Sequence, residues 1–418
     1  MKSAPSSHLD ILAVTSTMIL LLNQVNSKMR FKKITDLDLK DKTVFIRTDM
    51  NVPIKDNQIT DCTRIHAGLK TIEYALDAGA HVIVATHLGR PTEGTCTGAD
   101  SVVIIQAKLN QLLGTDIPLI TNLNTPIDFS HSKIVILENV RCNPGEKDNS
   151  AALGQKYASL CDIFVHDAFA TAHRAEASTD AIGNAAKTVC AGLLMSSELE
   201  ALTKALVTPT APVVAIVGGS KVSTKLPILT NLAEKVDYLI VGGGILNTFL
   251  LANNVPIGNS LAEPDLVPAA KAIMDKMHKR GKTVPLPTQV VVATEFAPTA
   301  VATQKDINQV CDNEMILDIG TAFAEQLAQT ITHAGTIIWN GPLGVFEFDQ
   351  FAGGTKIVAN AIATSDGFSL AGGGDTIAAI NKFDLLDKID YVSTAGGALL
   401  EFLEGRKLPA ITLLEKHY

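Results

Sequence analysis

The sequence predicts an α/β protein built from two similar-sized, doubly wound, mostly parallel-sheet (Rossmann-like) domains joined by a hinge helix. Three observations carry that expectation. Short runs of β-branched and apolar residues alternate with longer helix-like stretches along the chain, the pattern of parallel βαβ units whose sheets are covered on both faces. The chain has 418 residues, room for two domains of roughly 100–200 residues each. The residues that follow the apolar runs differ in kind between the two halves: arginine and histidine in the first, glycine in the second.

The runs of the first half are Val44–Ile46, His81–Ala85, Ile134–Leu137 and Ile163–Val165. Those of the second are Val213–Val217, Tyr238–Val241, Val290–Ala293, Met315–Ile319, Thr336–Trp339, Phe368–Leu370 and Asp390–Val392. Ser197–Ala205 patterns as a helix and leads into the turn-rich Thr208–Pro212, which places the boundary near 196–212. The expected units are an N-terminal domain over 29–196, a hinge over 197–211 and a C-terminal domain over 212–408. Residues 1–28 do not resemble the rest and are expected to be a dispensable extension. Their apolar run, Ile11–Leu22, falls short of the about 20 residues that span a bilayer.

Composition narrows the function. Net charge is −8, against a general nucleic-acid or membrane-surface binder, which needs a broad basic field. The six cysteines, Cys62, Cys96, Cys142, Cys161, Cys190 and Cys311, form no CxxC or Cys/His metal spacing and read as reduced core thiols of a cytoplasmic protein.

Ligands of open α/β sheets bind beyond the carboxyl ends of the strands. In the first half those ends carry Arg47-Thr48-Asp49, His87-Leu88-Gly89-Arg90, Glu138-Asn139-Val140-Arg141 and Asp167 through His173-Arg174. Arginine forks match phosphate and carboxylate, so Arg64, Arg90, Arg141 and Arg174 with His87 and His173 point to a small anionic ligand. Asp49 and Asn51 could orient a hydroxyl; Arg47 reads as structural, pairing nearby carboxylates.

In the second half the ends carry Gly218-Gly219-Ser220-Lys221, Gly242-Gly243-Gly244, Asn340-Gly341-Pro342, Gly372-Gly373-Gly374-Asp375 and Ala395-Gly396-Gly397. Such turns let backbone N–H groups approach phosphates, helped by helix N-termini. The usual fingerprints are absent: Gly281-Lys282-Thr283 has Lys276 where a P-loop needs glycine, and Gly242-Gly243-Gly244 is followed by Asn247 where GxGxxG needs glycine. A helix starting at Lys221 would put Lys221 and Lys225 on one face, suited to a migrating phosphoryl group. Asp375 could hold Mg²⁺ on nucleotide phosphates or cap a helix. No Ser/His/Asp set stands out, and an ionised carboxylate acceptor needs no general base.

Together these segments resemble the phosphoglycerate kinase family, in its bacterial form. The matching stretches are Arg47–Pro53 with Thr63-Arg64-Ile65, His87–Pro91, Glu138–Arg141, Asp167–Arg174, Ala215–Lys225, Val241–Gly244, Trp339–Glu347, Ala371–Thr376 and Ser393–Ala398, in family order from about residue 31 onward. The resemblance implies reversible transfer of the acyl phosphate of 1,3-bisphosphoglycerate to ADP, giving 3-phosphoglycerate and ATP, with Mg²⁺, in a cytoplasmic monomer. It implies a substrate site of Asp49, Met50, Asn51, Arg64, His87, Leu88, Gly89, Arg90, Arg141, His173 and Arg174. The implied catalytic set is Arg64, Lys221, Lys225, Gly373 and Gly396. The implied nucleotide site is Gly218, Gly219, Lys221, Lys225, Gly243, Asn340, Pro342, Glu347, Gly372, Gly373, Gly374, Asp375 and Thr376, with Glu347 on the ribose and Asp375 on the metal. It also implies that the tail 409–418 packs on the first domain.

The chain departs from the family pattern at Ala170 and Ala395, where glycine is usual, and the Ala395 methyl is expected to crowd the phosphate. Pro227 is expected to bend the helix after Lys225. The alternatives are a catalytically inactive nucleotide-binding relative, which the intact Arg64, Lys221, Lys225 and Asp375 argue against, and an acyl-phosphate kinase for another carboxylate.

Overall fold

The computed structural model describes residues 29–418; the apolar run Ile11–Leu22 lies outside them. The chain builds two parallel sheets. The first has six strands in the order Leu119–Ile120, Ile134–Leu137, His81–Ala85, Thr43–Thr48, Ile163–Asp167 and Thr188–Ala191. Its register sets Ile46 between Val84 and Val165. The second has five, in the order Tyr238–Gly242, Val213–Gly218, Thr336–Asn340, Phe368–Gly372 and Tyr391–Ser393. Every neighbouring pair in both is parallel. Ile134–Leu137 and Val213–Gly218 read as unbroken apolar runs and are buried at every residue, as strands covered on both faces are.

Strand order places the sites. In the first sheet the chain leaves Thr43–Thr48 toward His81–Ala85 and later returns on the other side through Ile163–Asp167. In the second the reversal falls between Val213–Gly218 and Thr336–Asn340. Crevices open at such switch points, beyond the carboxyl ends of the strands.

The helix Leu193–Leu202 and the following π-helical turn Thr203–Val207 lead from the first sheet to the second. The buried Glu198 of this helix accepts from Tyr391 Oη at 2.6 Å and from Ser393 Oγ, tying the linker to the last strand of the second sheet. The final helix, Pro409–Lys416, returns to the first unit, where Ala410 N donates to Ala172 O at 3.2 Å.

Four expectations need correction. Val290–Ala293 and Met315–Ile319 belong to neither parallel sheet; with Thr303–Asp306 they form a separate antiparallel sheet, and the exposed, polar Thr303–Asp306 gave no apolar signal. No helix starts at Lys221: residues 221–225 form a turn and the helix spans Leu226–Leu232. Pro227 therefore sits in a first turn, where its missing N–H costs no hydrogen bond and bends nothing. The cysteines are not all reduced core thiols: Cys96 and Cys142 are joined as a disulfide, Cys311 is exposed, and among the free ones only Cys190 is fully buried.

Candidate active site

The first half-site is assembled by loops that leave the carboxyl ends of the first sheet. Asp49 follows the strand Thr43–Thr48, and its Oδ2 accepts from Arg64 Nη1 at 3.0 Å. The same Nη1 donates to Asn51 O at 3.1 Å, and Asn51 Oδ1 accepts from Gly89 N at 2.9 Å. Arg141, which is buried, donates from Nη1 to Gly89 O at 3.0 Å and faces Glu176 Oε1 at 3.6 Å. Arg174 approaches the same oxygen at 3.8 Å. Glu176 thus aims two arginines at once. Sequence reasoning missed it, since nothing but proximity to Arg174 sets it apart.

Beneath these groups lies the fully buried Arg47. It donates to Ser178 Oγ at 2.9 Å and to Thr48 O at 2.6 Å, and lies 3.3 Å from His87 Nδ1. The expectation that it pairs carboxylates directly is corrected: its link to Glu146 runs through Ser178, whose Oγ donates to Glu146 Oε1 at 2.5 Å. Burial first, then the Arg47 guanidinium and the other arginines, holds His87 far below the ordinary histidine range, so the ring is neutral. Burial and Arg174 lower His173 as well.

Asp49, Asn51, Arg64, His87, Gly89, Arg90, Arg141, His173 and Arg174 share a cavity of about 350 Å³. Ala170 and Thr171 complete its wall on this side, while Ala395, Gly396 and Gly397 enter from the second sheet. Met50 and Leu88 do not face it: both side chains are buried in the core behind, because neighbours in an extended segment point to opposite sides.

The second half-site is built from close backbone approaches. A Cβ on Gly218 would overlap the Pro342 carbonyl oxygen, so only glycine lets the two strand ends meet at the switch point. Asn340 Nδ2 donates to Gly372 O at 2.6 Å, and Asn340 Oδ1 accepts from Lys225 Nζ. Thr376 Oγ1 accepts from Gly341 N at 2.7 Å and is buried, so that hydroxyl serves the turn. Gly373, at φ +100°, caps the helix Gly374–Lys382, leaving the backbone N–H groups of its first turn toward the crevice. Gly219 and Gly243 line the neighbouring turn, where a Cβ on Gly243 would press on Gly219 O at 2.7 Å. Lys221, Glu347, Gly374 and Asp375 are exposed, and Lys225 is half-buried. Burial lowers the Lys225 pKa, with Asp375 opposing the shift.

The two sets do not share one cavity. Lys221, Lys225, Gly373 and Asp375 are absent from the arginine-lined pocket, which only Ala395–Gly397 reach from that side. Among the described residues no three His, Cys, Asp or Glu side chains gather as a metal cage, and no helix is long and apolar enough to cross a membrane.

An arginine-lined pocket at the strand ends of one sheet and close-packed glycine turns at those of another are the features of a two-lobed phosphotransferase. The sequence model described as phosphoglycerate kinase matches residues 34–406. The structure of phosphoglycerate kinase from Coxiella burnetii is 48% identical, with a TM-score of 0.91, over 93% of this chain and 99% of that one. The crystal structure of phosphoglycerate kinase from Pyrococcus horikoshii OT3 is 31% identical, with a TM-score of 0.72, over 93% of this chain and 100% of that one. This chain belongs to the phosphoglycerate kinase family. Its activity is that family's phosphoryl transfer between phosphoglycerate and a nucleotide.

Proposed function

We propose that the reaction runs by closure of the two lobes, 29–196 with the tail 409–418 and 212–408, about the segment 197–211, with residues 1–28 dispensable. The observation that carries this reading is the arginine-lined cavity, whose far wall, Ala395–Gly397, comes from the second lobe while the lysines stand outside it. Reacting atoms must approach to about 3–3.5 Å, so separated half-sites need a rotation.

In this reading Arg90, Arg141 and Arg174 with His87 and His173 hold the phosphate and carboxylate of 3-phosphoglycerate, while Asp49 and Asn51 orient its hydroxyl. The loop Asn340–Glu347 and the glycine turns hold the nucleotide. Arg64 from one side, and Lys221, Lys225, Gly373 and Gly396 from the other, stabilise the migrating phosphoryl group. The acceptor carboxylate is ionised at neutral pH, so positioning and charge neutralisation supply the catalysis. The exposed Asp375 carboxylate, in the first turn of its helix, fits Mg²⁺, which binds one or two carboxylates together with nucleotide phosphates and water. The ion would neutralise phosphate charge there.

A cytoplasmic monomer fits a small-molecule enzyme of net charge −8. The Cys96–Cys142 disulfide runs against a reducing compartment. A coupled assay tests the function: ADP should form from MgATP only when 3-phosphoglycerate is added. ADP formation independent of that acid, or none with it, would remove the assignment.

A further inference from the structure

The loop Asn340–Glu347 is held to the rest of the second lobe from several elements, with Gly243 N donating to Leu343 O at 2.9 Å and Lys382 Nζ to Phe346 O at 2.8 Å. Asp318, next to last in the strand Met315–Ile319, is 2% exposed and faces no cation within ion-pair distance among the described residues. Its Oδ2 accepts from Gly354 N at 2.7 Å, at the start of the helix Gly353–Ala363, and its Oδ1 accepts from Ile319 N at 2.9 Å. Gly344, in the middle of the loop, lies so close that a Cβ would overlap Asp318 Oδ1. From the same helix Thr355 Oγ1 accepts from Leu343 N at 3.1 Å and Gly344 N at 3.2 Å. The strand Met315–Ile319 itself adds a bond from Val345 N to Leu317 O at 2.8 Å.

We propose that Asp318 is a positioning residue for the nucleotide. It fixes the start of the helix Gly353–Ala363, the helix presents Thr355, and Thr355 with Asp318 sets the height of Leu343–Gly344, which fixes Asn340, Pro342 and Glu347 on either side. A buried carboxylate is costly to keep, and here it accepts only from the backbone N–H groups of Ile319 and Gly354 while its Oδ1 packs against Gly344 of the loop. The inference rests on the reading that this loop walls the nucleotide site.

Steady-state kinetics on the full chain tests it, varying MgATP and 3-phosphoglycerate separately. Asp318→Asn puts an NH₂ where one N–H needs an acceptor. It should raise KM for MgATP about tenfold, the factor for roughly one lost hydrogen bond, and leave KM for 3-phosphoglycerate within about twofold. Thr355→Val should do the same, and Thr355→Ser, which keeps the hydroxyl, should restore the wild-type value. Asp237→Asn is the control: Asp237 Oδ2 accepts from Val213 N at 2.6 Å at the amino end of the five-stranded sheet, opposite the carboxyl ends from which the loop leaves. It should lower Tm without moving KM for MgATP. If Asp318→Asn lowers Tm yet leaves KM for MgATP unchanged, or moves both KM values alike, the proposal falls. If Asp318→Asn fails to fold, the Thr355 pair decides alone. Glu347→Ala separates the two levels: an unchanged KM for MgATP there removes the reading of the loop itself, while a raised one beside a silent Asp318→Asn removes only the role of Asp318.

Discussion

In the first lobe three of the site's four arginines are already engaged: Arg64 with Asp49, Arg141 with Gly89 and Glu176, Arg174 with Glu176. In the second lobe Lys221 is exposed, Asp375 is exposed, and shape is set by glycine backbones packed on one another. In the proposed reading the first lobe presents paired side-chain forks to a small acid. In the same reading the second offers backbone N–H groups, the exposed Lys221 and Asp375, and a Lys225 held by Asn340 Oδ1 to a polyphosphate. Preorganised cations discriminate a ligand's shape, whereas loosely held ones can follow a group that moves.

The largest effect expected from this contrast is in turnover. Lys225→Ala and Lys221→Ala should each lower kcat by about 10²–10³, the scale for removing one donor that acts on developing charge, while MgATP affinity falls less. Equal losses in kcat and in binding, measured by titration calorimetry, would make the lysines ordinary ligands. Next is stability in the first lobe. Arg141→Ala strands Glu176 with only Arg174 nearby, so unfolding free energy should drop by about 3 kcal/mol. Arg90→Ala, at an exposed position, should stay within about 0.5 kcal/mol yet weaken 3-phosphoglycerate binding. Urea denaturation of both variants checks this; equal losses would mean the arginines are not differently held.

In the second lobe Gly218→Ala should cost about 1–3 kcal/mol by overpacking, whereas Gly374, with open space around it, should tolerate alanine without a comparable loss. The smallest effect is a pH slope. Burial raises Glu146 to about 7, so the folded chain keeps its proton while the unfolded chain has lost it between about pH 4.5 and 7. Stability from this group is therefore full below that window and declines as pH rises through it. Glu146→Gln should flatten the decline, by at most about 1.4 kcal/mol per pH unit; an unchanged slope in urea midpoints would assign it to other groups.

Much of this contrast could be read from residue order. His81–Ala85, Ile134–Leu137 and Met315–Ile319 begin and end as their apolar runs do, and the arginine and glycine ends fall on the two crevices. What could not be read depends on pairing across space. Thr188–Ala191 joins the first sheet's edge as a short run between helices, and Thr303–Asp306 is polar because it lies at an exposed edge. The sheet to which Val290–Ala293 and Met315–Ile319 belong is invisible in their own composition, since antiparallel and parallel buried strands share it. Glu176, Asp318 and Thr355 carry no motif; each matters through what it touches from another element. The Cys96–Cys142 pair closes a loop of separation 46 that no spacing rule marks. Thiol titration of the chain purified without reductant should find four free thiols; six would place all of them in the reduced form.

In the proposed mechanism the arginine pocket and the lysine-bearing turns work only after the lobes rotate together. Small-angle scattering should show the radius of gyration fall when 3-phosphoglycerate and a non-hydrolysable MgATP analogue are both bound, and change little with either alone. An unchanged radius in the saturated ternary complex, in a preparation that turns over, would contradict it.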